Sequence, residues 1–403
     1  MAKAVQAVAH EGKEGTMDFR LSEEQEGLQR LARQIVQEEL LPLEPRFLEE
    51  GRDDLWPEDY ERLKQLSMDT GLWGAHLPTE FGGSGMGVLG KVLLLEQFFQ
   101  TAIPFPWCAD WMDAFLEDCN EDQKQRFAWP VVRGEKRSCF AQTEPNAGSD
   151  PGGMMQTTAV RDGDHWVLNG TKFFVSWADK ADFALVQAVT DPEKRQRGGI
   201  TMFIVEKGTP GFSLKRPIPV WVSKTPEQFE LLFDNCVVPQ ANVLGGVGRG
   251  FYMGQKILTI WDRLERAAWM LGMMQRALDM CTGWAKQRVT FGRPIADRQA
   301  IQWMIVEIWT DIQYLRTKLY EAAWKADEGQ DVRMEASLLK YTAAQWATRC
   351  LDKAIQIHGG IGETDWLPLT RFYHVARHAR IGGGTDEIHK MVLARFLLGR
   401  TGG

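Results

Sequence analysis

The chain has 403 residues, of which 44% are hydrophobic and 25% charged, so it is neither a disordered nor a collagen-like protein and has room for two or three domains. Its 47 Lys+Arg against 54 Asp+Glu leave a net charge of −7, which argues against nucleic-acid binding through a basic patch. No apolar run approaches a membrane span, the seven histidines include no HExxH, and Cys108, Cys119, Cys139, Cys236, Cys281 and Cys350 form no CxxC pair, so neither membrane insertion nor a metal site is expected. Residues 1–16 are expected to form a loose tail without the apolar segment of a signal peptide, which points to a cytoplasmic protein with reduced thiols. From Ser22 the pattern is helical: SEEQ is a capping box, and Leu28, Leu31, Ile35 and Leu40 supply spaced apolar positions. Helical character continues to about residue 135, interrupted at 77–87 and by the prolines of 101–107. The stretch 138–245 alternates as short strands do, in HWVLNGTKFFVSW, FALVQAVT, GITMFIVEKG and FELLFDNCVVP. Helical periodicity then returns, and Leu264, Ala267, Leu271, Met274, Leu278, Cys281 and Ala285 form the seam of a packed helix. Asp262, Arg266, Trp269 and Met273 lie on a second, partly apolar face, as in a helix inside a bundle.

Four segments carry candidate chemistry. FAQTEPNAGSD (140–150) is a tight loop with hydroxyls at Thr143 and Ser149, suited to an anion or a polar ring edge, or else an ordinary turn. AIQIHGGIGET (354–364) puts a glycine pair after a helix, where backbone either approaches a phosphate closely or simply caps the helix. In ARIGGGTDEIHKMVLAR (379–395) three glycines precede a helix-start signature. KQRVTFGRPIADRQAI (286–301) gathers Arg288, Thr290, Phe291, Arg293 and Gln299 around a turn.

Taken in order, TEPNAGSD, NGTKFFVSWADKADF, VPQANVLGGVGRGF, RVTFGRPI, QIHGGIG and GGGTDEI resemble the acyl-CoA dehydrogenase family, and the resemblance runs from Met17 to about Arg400. It implies an α+β fold with an N-terminal all-α domain (17–137), a central β-barrel or sandwich domain (138–247) and a C-terminal four-helix bundle (248–403), assembled as a homotetramer. It also implies FAD between the β domain and the bundle. Phe140, Gln142 and Thr143 match positions against the flavin ring, Ser149 a pyrophosphate ligand that also borders the substrate, and Phe174 and Ser176 the aromatic and hydroxyl beside the flavin. Arg288, Thr290, Phe291, Gln299, Gln356 and Gly360 match contacts to a neighbouring subunit's cofactor, and Thr385 and Glu387 match the adenosine side.

The family desaturates an acyl-CoA thioester: a carboxylate takes the α-proton while the β-hydrogen leaves as hydride to the flavin. The usual glutamate position is Gly383 here, which has no side chain. Isovaleryl-CoA and long-chain members carry their base on the bundle helix before an arginine, and that position is Asp262, followed by Arg263. Asp262 is thus the expected base, with an i,i+4 pair to Arg266 as the bland alternative and Glu265 and Asp110 as weaker candidates. The Gly383 backbone N–H still suits the thioester carbonyl. Arg263, Trp107 and Trp261 are candidate substrate contacts, and the room around Gly382–Gly384, with Phe105 and Trp111, suggests a branched, cyclic or bulky acyl group. Enoyl reduction, β-elimination and a non-catalytic subunit of a hetero-oligomer are the alternatives, and an electron-transfer flavoprotein is the implied electron acceptor.

Overall fold

A computed structural model of the chain describes residues 20–108 and 113–399, without the side chains of 113–114 and 259–261. The expected tail, Asp110 and Trp111, and the side chains of Ile260 and Trp261 therefore lie outside the described residues. In chain order the helices α1 (Glu23–Ile35), α2 (Glu44–Glu49), α3 (Pro57–Asp69) and α4 (Gly87–Phe98) are followed by the short α5 (Glu121–Gln123) and α6 (Trp129–Val132). Strand β1 (Ser138–Ala141) and the one-turn α7 (Pro151–Met154) lead into β2 (Thr158–Asp162), β3 (His165–Ser176), β4 (Phe183–Val189), β5 (Ile200–Glu206), β6 (Phe212–Ile218), β7 (Gln228–Pro239) and β8 (Val243–Leu244). Then come α8 (Gly250–Lys256), a π-helical stretch Ile257–Leu264, α9 (Glu265–Gln287), the small hairpin β9 (Val289–Thr290) and β10 (Arg293–Pro294), α10 (Gln299–Asp327), α11 (Arg333–His358), α12 (Leu369–Ala379) and α13 (Asp386–Leu397).

The chain divides into two compact units, Met1–Trp107 with Asp262–Gly403, and Cys108–Trp261. The first and last helical regions thus pack as one body. Its centre is α4, where every residue from Leu89 to Phe98 is buried, because this mostly apolar helix meets α1, α9 and α10 and its charged Lys91 and Glu96 pair with Glu265 and Arg316. Gly272 allows the closest approach: a Cβ there would stand 2.6 Å from the Glu96 carbonyl oxygen, so α9 and α4 touch backbone to side-chain-free backbone. Asp327, at the end of α10, accepts the Val88 and Leu89 N–H groups at 2.6 and 3.0 Å and so satisfies the free donors of α4. The expected seam of α9 is buried from Leu264 to Ala285. Ser22 and Gln25 form the reciprocal capping box that opens α1. Among the described residues no helix is long and apolar enough to cross a membrane.

The second unit holds the short helices α5 to α8 and one hydrogen-bonded sheet in the order β6-β7-β3-β2-β4-β5-β8, with β1 parallel to β4. Its core runs through Leu168, Val186, Phe203, Leu231 and Phe233. Phe140 and Ala141 end β1, so the motif expected as one loop begins as strand and turns only from Gln142. The long β3–β7 pairing slips between Lys172 and Val175, which leaves Phe174 at φ +56° with its ring half in solvent.

Candidate active site

In the β unit, Gln142 and Thr143 lie beside β3: the Thr143 carbonyl accepts the Phe173 N–H at 2.8 Å, and Lys172 Nζ donates to the Gln142 carbonyl at 3.1 Å. Glu144 fixes this corner. Its carboxylate accepts the Gln156 and Thr157 N–H groups at 2.6 and 2.9 Å and the Lys172 ammonium at 2.9 Å, with both side chains of the pair sealed from solvent. Burial pulls the Lys172 ammonium down to about 8, while the lysine and these donors hold Glu144 below the usual carboxylate range against its own burial. The buried Gln142 Oε1 has no hydrogen-bond partner among the described residues. Ser176 Oγ accepts from Gln228 Nε2 at 2.9 Å. Ser149 is exposed at φ +57°, beside Gly148, where a Cβ would meet open space. A buried unpaired amide oxygen, an exposed aromatic at Phe174 and an open turn at Ser149 fit a flavin and its phosphates.

In the helical unit the other expected cofactor positions form two groups. Arg288, Thr290 and Phe291 follow α9, Gln299 opens α10, and Gln356 and Gly360 flank the end of α11. Trp284 stacks on His358 at 5.6 Å, which brings the ends of α9 and α11 together. Arg288, Phe291, Gln299, Gln356 and Gly360 are exposed, Phe291 by 97%. Thr385 caps α13 by accepting the Ile388 N–H, with Glu387 exposed in the first turn. These two sit near Lys340 and Gln345 of α11, more than two helical turns from Gln356, so the chain does not bring both groups together.

The third group surrounds Gly382–Gly384. Asp262 lies in the π-helical stretch before α9, and a Cβ on Gly383 would collide with Asp262 Oδ2. The carboxylate therefore stands where a side chain at 383 would begin. Asp262 Oδ1 accepts Arg266 Nε at 2.7 Å, and the buried Oδ2 has no partner among the described residues. The expected i,i+4 pair and the facing of Gly383 coexist, one on each oxygen. Gly383 has φ +71°, and its N–H and that of Gly384 have no partner among the described residues. The next carbonyls are held by buried side chains: Lys340 Nζ donates to Gly384 O, and His389 Nε2 lies 3.2 Å from Gly383 O. A carbonyl only accepts, so the neutral His389 ring carries its proton on Nε2. Burial, then Arg263 and Lys340, hold His389 at about 4, and burial, then Arg266 and Lys340, do the same to His378. Burial and the Arg266 charge pull Lys340 down to about 8. Burial also lowers Arg263. Asp386 Oδ2 accepts from Arg380 and Gln345 at 2.8 and 3.0 Å and closes the floor of the cluster.

Of the weaker candidates, Glu265 is engaged by Lys91 at 2.6 Å. Trp107 is 2% exposed and packs against His76 and Phe98, with Lys91 5.7 Å from its ring. Lys340, His378 and His389 were not foreseen. Lys340 carried a signal, since it interrupts an otherwise apolar face of α11 that includes Ala336, Ala343 and Ala347.

Comparison with known proteins accounts for nearly the whole chain. Three family descriptions match in order: acyl-CoA dehydrogenase N-terminal domain at 22–135, middle domain at 139–236 and C-terminal domain at 248–398. The chain is 38% identical to (R)-benzylsuccinyl-CoA dehydrogenase of Thauera aromatica, covering 96% of this chain and 98% of that one. It is 36% identical to acryloyl-CoA reductase (NADH) of Anaerotignum propionicum, covering 95% and 97%. The butyryl-CoA dehydrogenase structure from Megasphaera elsdenii superposes with a TM-score of 0.83 at 32% identity, over 95% of this chain and 100% of that one.

Proposed function

The chain belongs to the acyl-CoA dehydrogenase family and is an FAD-dependent oxidoreductase, and we propose that it desaturates the α,β-carbons of an acyl-CoA thioester with a branched, cyclic or otherwise bulky acyl group. One observation carries this reading: the free oxygen of Asp262 faces Gly383, so a carboxylate is present although the usual position has no side chain. FAD, when bound, supplies a two-electron acceptor for hydride. Phe140, Gln142, Thr143, Phe174 and Ser176 would hold its ring, Ser149 its phosphates, Thr385 and Glu387 its adenosine side. Arg288, Thr290, Phe291, Gln299, Gln356 and Gly360 would meet the cofactor of a neighbouring copy.

In this mechanism Asp262 Oδ2 takes the α-proton, and Arg266 on Oδ1 keeps the carboxylate aimed at the glycine run. Negative charge developing on the thioester oxygen meets the Gly383 N–H, held in place because its own carbonyl is bonded to His389. Arg263, Trp107 and Trp261 border the substrate in the same reading. The benzylsuccinyl thioester named for the Thauera relative supports a bulky acyl group. The glycines add no room of their own, because His378, Asp262 and His389 stand where side chains at 382, 383 and 384 would begin. An electron-transfer flavoprotein as acceptor, a homotetrameric state and domain boundaries near 138 and 248 belong to the same proposal.

The test is anaerobic flavin bleaching by a panel of acyl-CoAs. Asp262→Asn is expected to slow bleaching by roughly 10²- to 10⁴-fold, the range of a lost general base. Unchanged bleaching rejects Asp262. The acryloyl-CoA reductase relative supports a second reading, enoyl reduction, in which protonated Asp262 delivers a proton to the α-carbon. Product mass separates the two, since oxidation removes two hydrogens and reduction adds them.

A further inference from the structure

Arg266 has more hydrogen-bonding capacity than its neighbours use. Its Nε–H goes to Asp262 Oδ1 at 2.7 Å, and neither Nη group has a partner among the described residues. The guanidinium lies against Trp269, 5.5 Å from the ring, and Trp269 is itself stacked on Phe99 at 4.7 Å, so the fork is braced from behind. Its free edge points over the glycine run: Nη1 would be 3.6 Å from a Cβ on Gly382, and Nε 3.3 Å from a Cβ on Gly383. No side chain at 382 or 383 stands between the fork and Asp262 Oδ2.

Charge points the same way. Asp262 is the carboxylate that Arg266 engages, and the Lys340 ammonium nearby has no carboxylate within ion-pair distance among the described residues, its bond going to a carbonyl. Asp386 is already bound by Arg380. His378 and His389 are neutral near pH 7 and neither add to nor offset this positive field. A half-buried guanidinium with two parallel N–H groups is matched best by a planar anion with two oxygens.

We infer that Arg266 is a specificity-determining residue whose free Nη edge binds a second carboxylate carried by the acyl group, so that the preferred substrate is the monothioester of a dicarboxylic acid. The inference rests on the reading of Asp262 and Gly383 as the place of reaction. A carboxylate on Arg266 holds the acyl group with its reacting carbons over Gly383 and brings the local charge nearer to balance.

The experiment uses the FAD-loaded enzyme and benzylsuccinyl-CoA together with its carboxamide isostere, in which a neutral amide replaces the free carboxylate. Calorimetry on the wild type is expected to show about 10- to 100-fold tighter binding of the carboxylate form, the scale of a charge-assisted pair of hydrogen bonds. Arg266→Gln is expected to remove this preference by weakening the carboxylate form far more than the amide form, and Arg266→Lys to restore part of it. Equal binding of the two thioesters by the wild type overturns the inference even if the variants do not fold, as does an equal loss for both thioesters in Arg266→Gln. Because binding needs no proton transfer, a carboxylate preference that persists when Asp262→Asn bleaches normally would reject only the assignment of the base.

Discussion

Asp262 is one methylene shorter than the glutamate it stands in for, yet its Oδ2 already fills the position of a side-chain root at 383. The shortfall in reach is met by the missing Cβ of Gly383, and the two residues form a matched pair. Asp262→Glu is therefore expected to fall below the wild type in bleaching rate, because the longer carboxylate overreaches the glycine run. Gly383→Ala places a methyl group against Asp262 Oδ2 at a backbone φ of +71°. It is expected to cost roughly 1–2 kcal/mol of stability, read by denaturant unfolding, and to displace the carboxylate enough to slow bleaching by about 100-fold. A catalytic carboxylate at 262 was implied by the resemblance to members that carry their base before an arginine, but its contact with Gly383 joins residues far apart in the chain, and no local pattern encodes that.

At the scale of elements, the corner between β1 and β3 depends on one ion pair. Lys172 and Glu144 are both sealed in, and the glutamate also carries two backbone donors. Lys172→Met leaves that carboxylate without its cation and is expected to destabilise the protein by about 3–5 kcal/mol, measured by urea unfolding. The strands around this corner were legible because alternation and turn residues are local signals, whereas the slip at Lys172–Val175 that exposes Phe174 is set by pairing with β7. The meeting of α9, α11 and α12 makes a second prediction. Burial and then Arg266, from a neighbouring helix, lower the His378 pKa to about 4, so Arg266→Gln is expected to raise it part of the way toward the ordinary range, visible in an NMR titration of the ring. The π-helical stretch before α9 had no signature in periodicity, since its residues are as apolar as those of an α-helix, yet it carries Asp262.

For the whole molecule, buried neutral histidines shape the response to acid. His389 is held at about 4 in the folded chain against an ordinary 6.5, so between these values the unfolded chain binds more protons. Stability from this group is present above pH 6.5 and is lost as pH falls toward 4, by on the order of 3 kcal/mol. His389→Gln is expected to flatten unfolding stability across that window relative to the wild type. The outer face of α10 exposes Trp303, Val306, Trp309 and Tyr314, each by more than half, beside a groove lined by Leu278, Thr282, Lys286 and Ile305. Such an aromatic face supports the proposed self-association. A Trp303→Glu, Trp309→Glu double variant is expected to sediment at a lower mass than the wild type in analytical ultracentrifugation.

The order of elements, the apolar seam of α9, the capped starts of α1 and α13 and the family to which the chain belongs were all determined by the sequence alone. Each rests on residues within a few positions of one another, or on motifs that keep their order along the chain. Tertiary structure alone decided that the first and last helical regions form one body, that Asp262 meets Gly383, and that Lys340, His378 and His389 gather around the glycine run. It also left the fork of Arg266 free. Several of these contacts join groups tens to more than a hundred positions apart, and their chemistry depends on burial and on charges borne by other helices, which only packing creates.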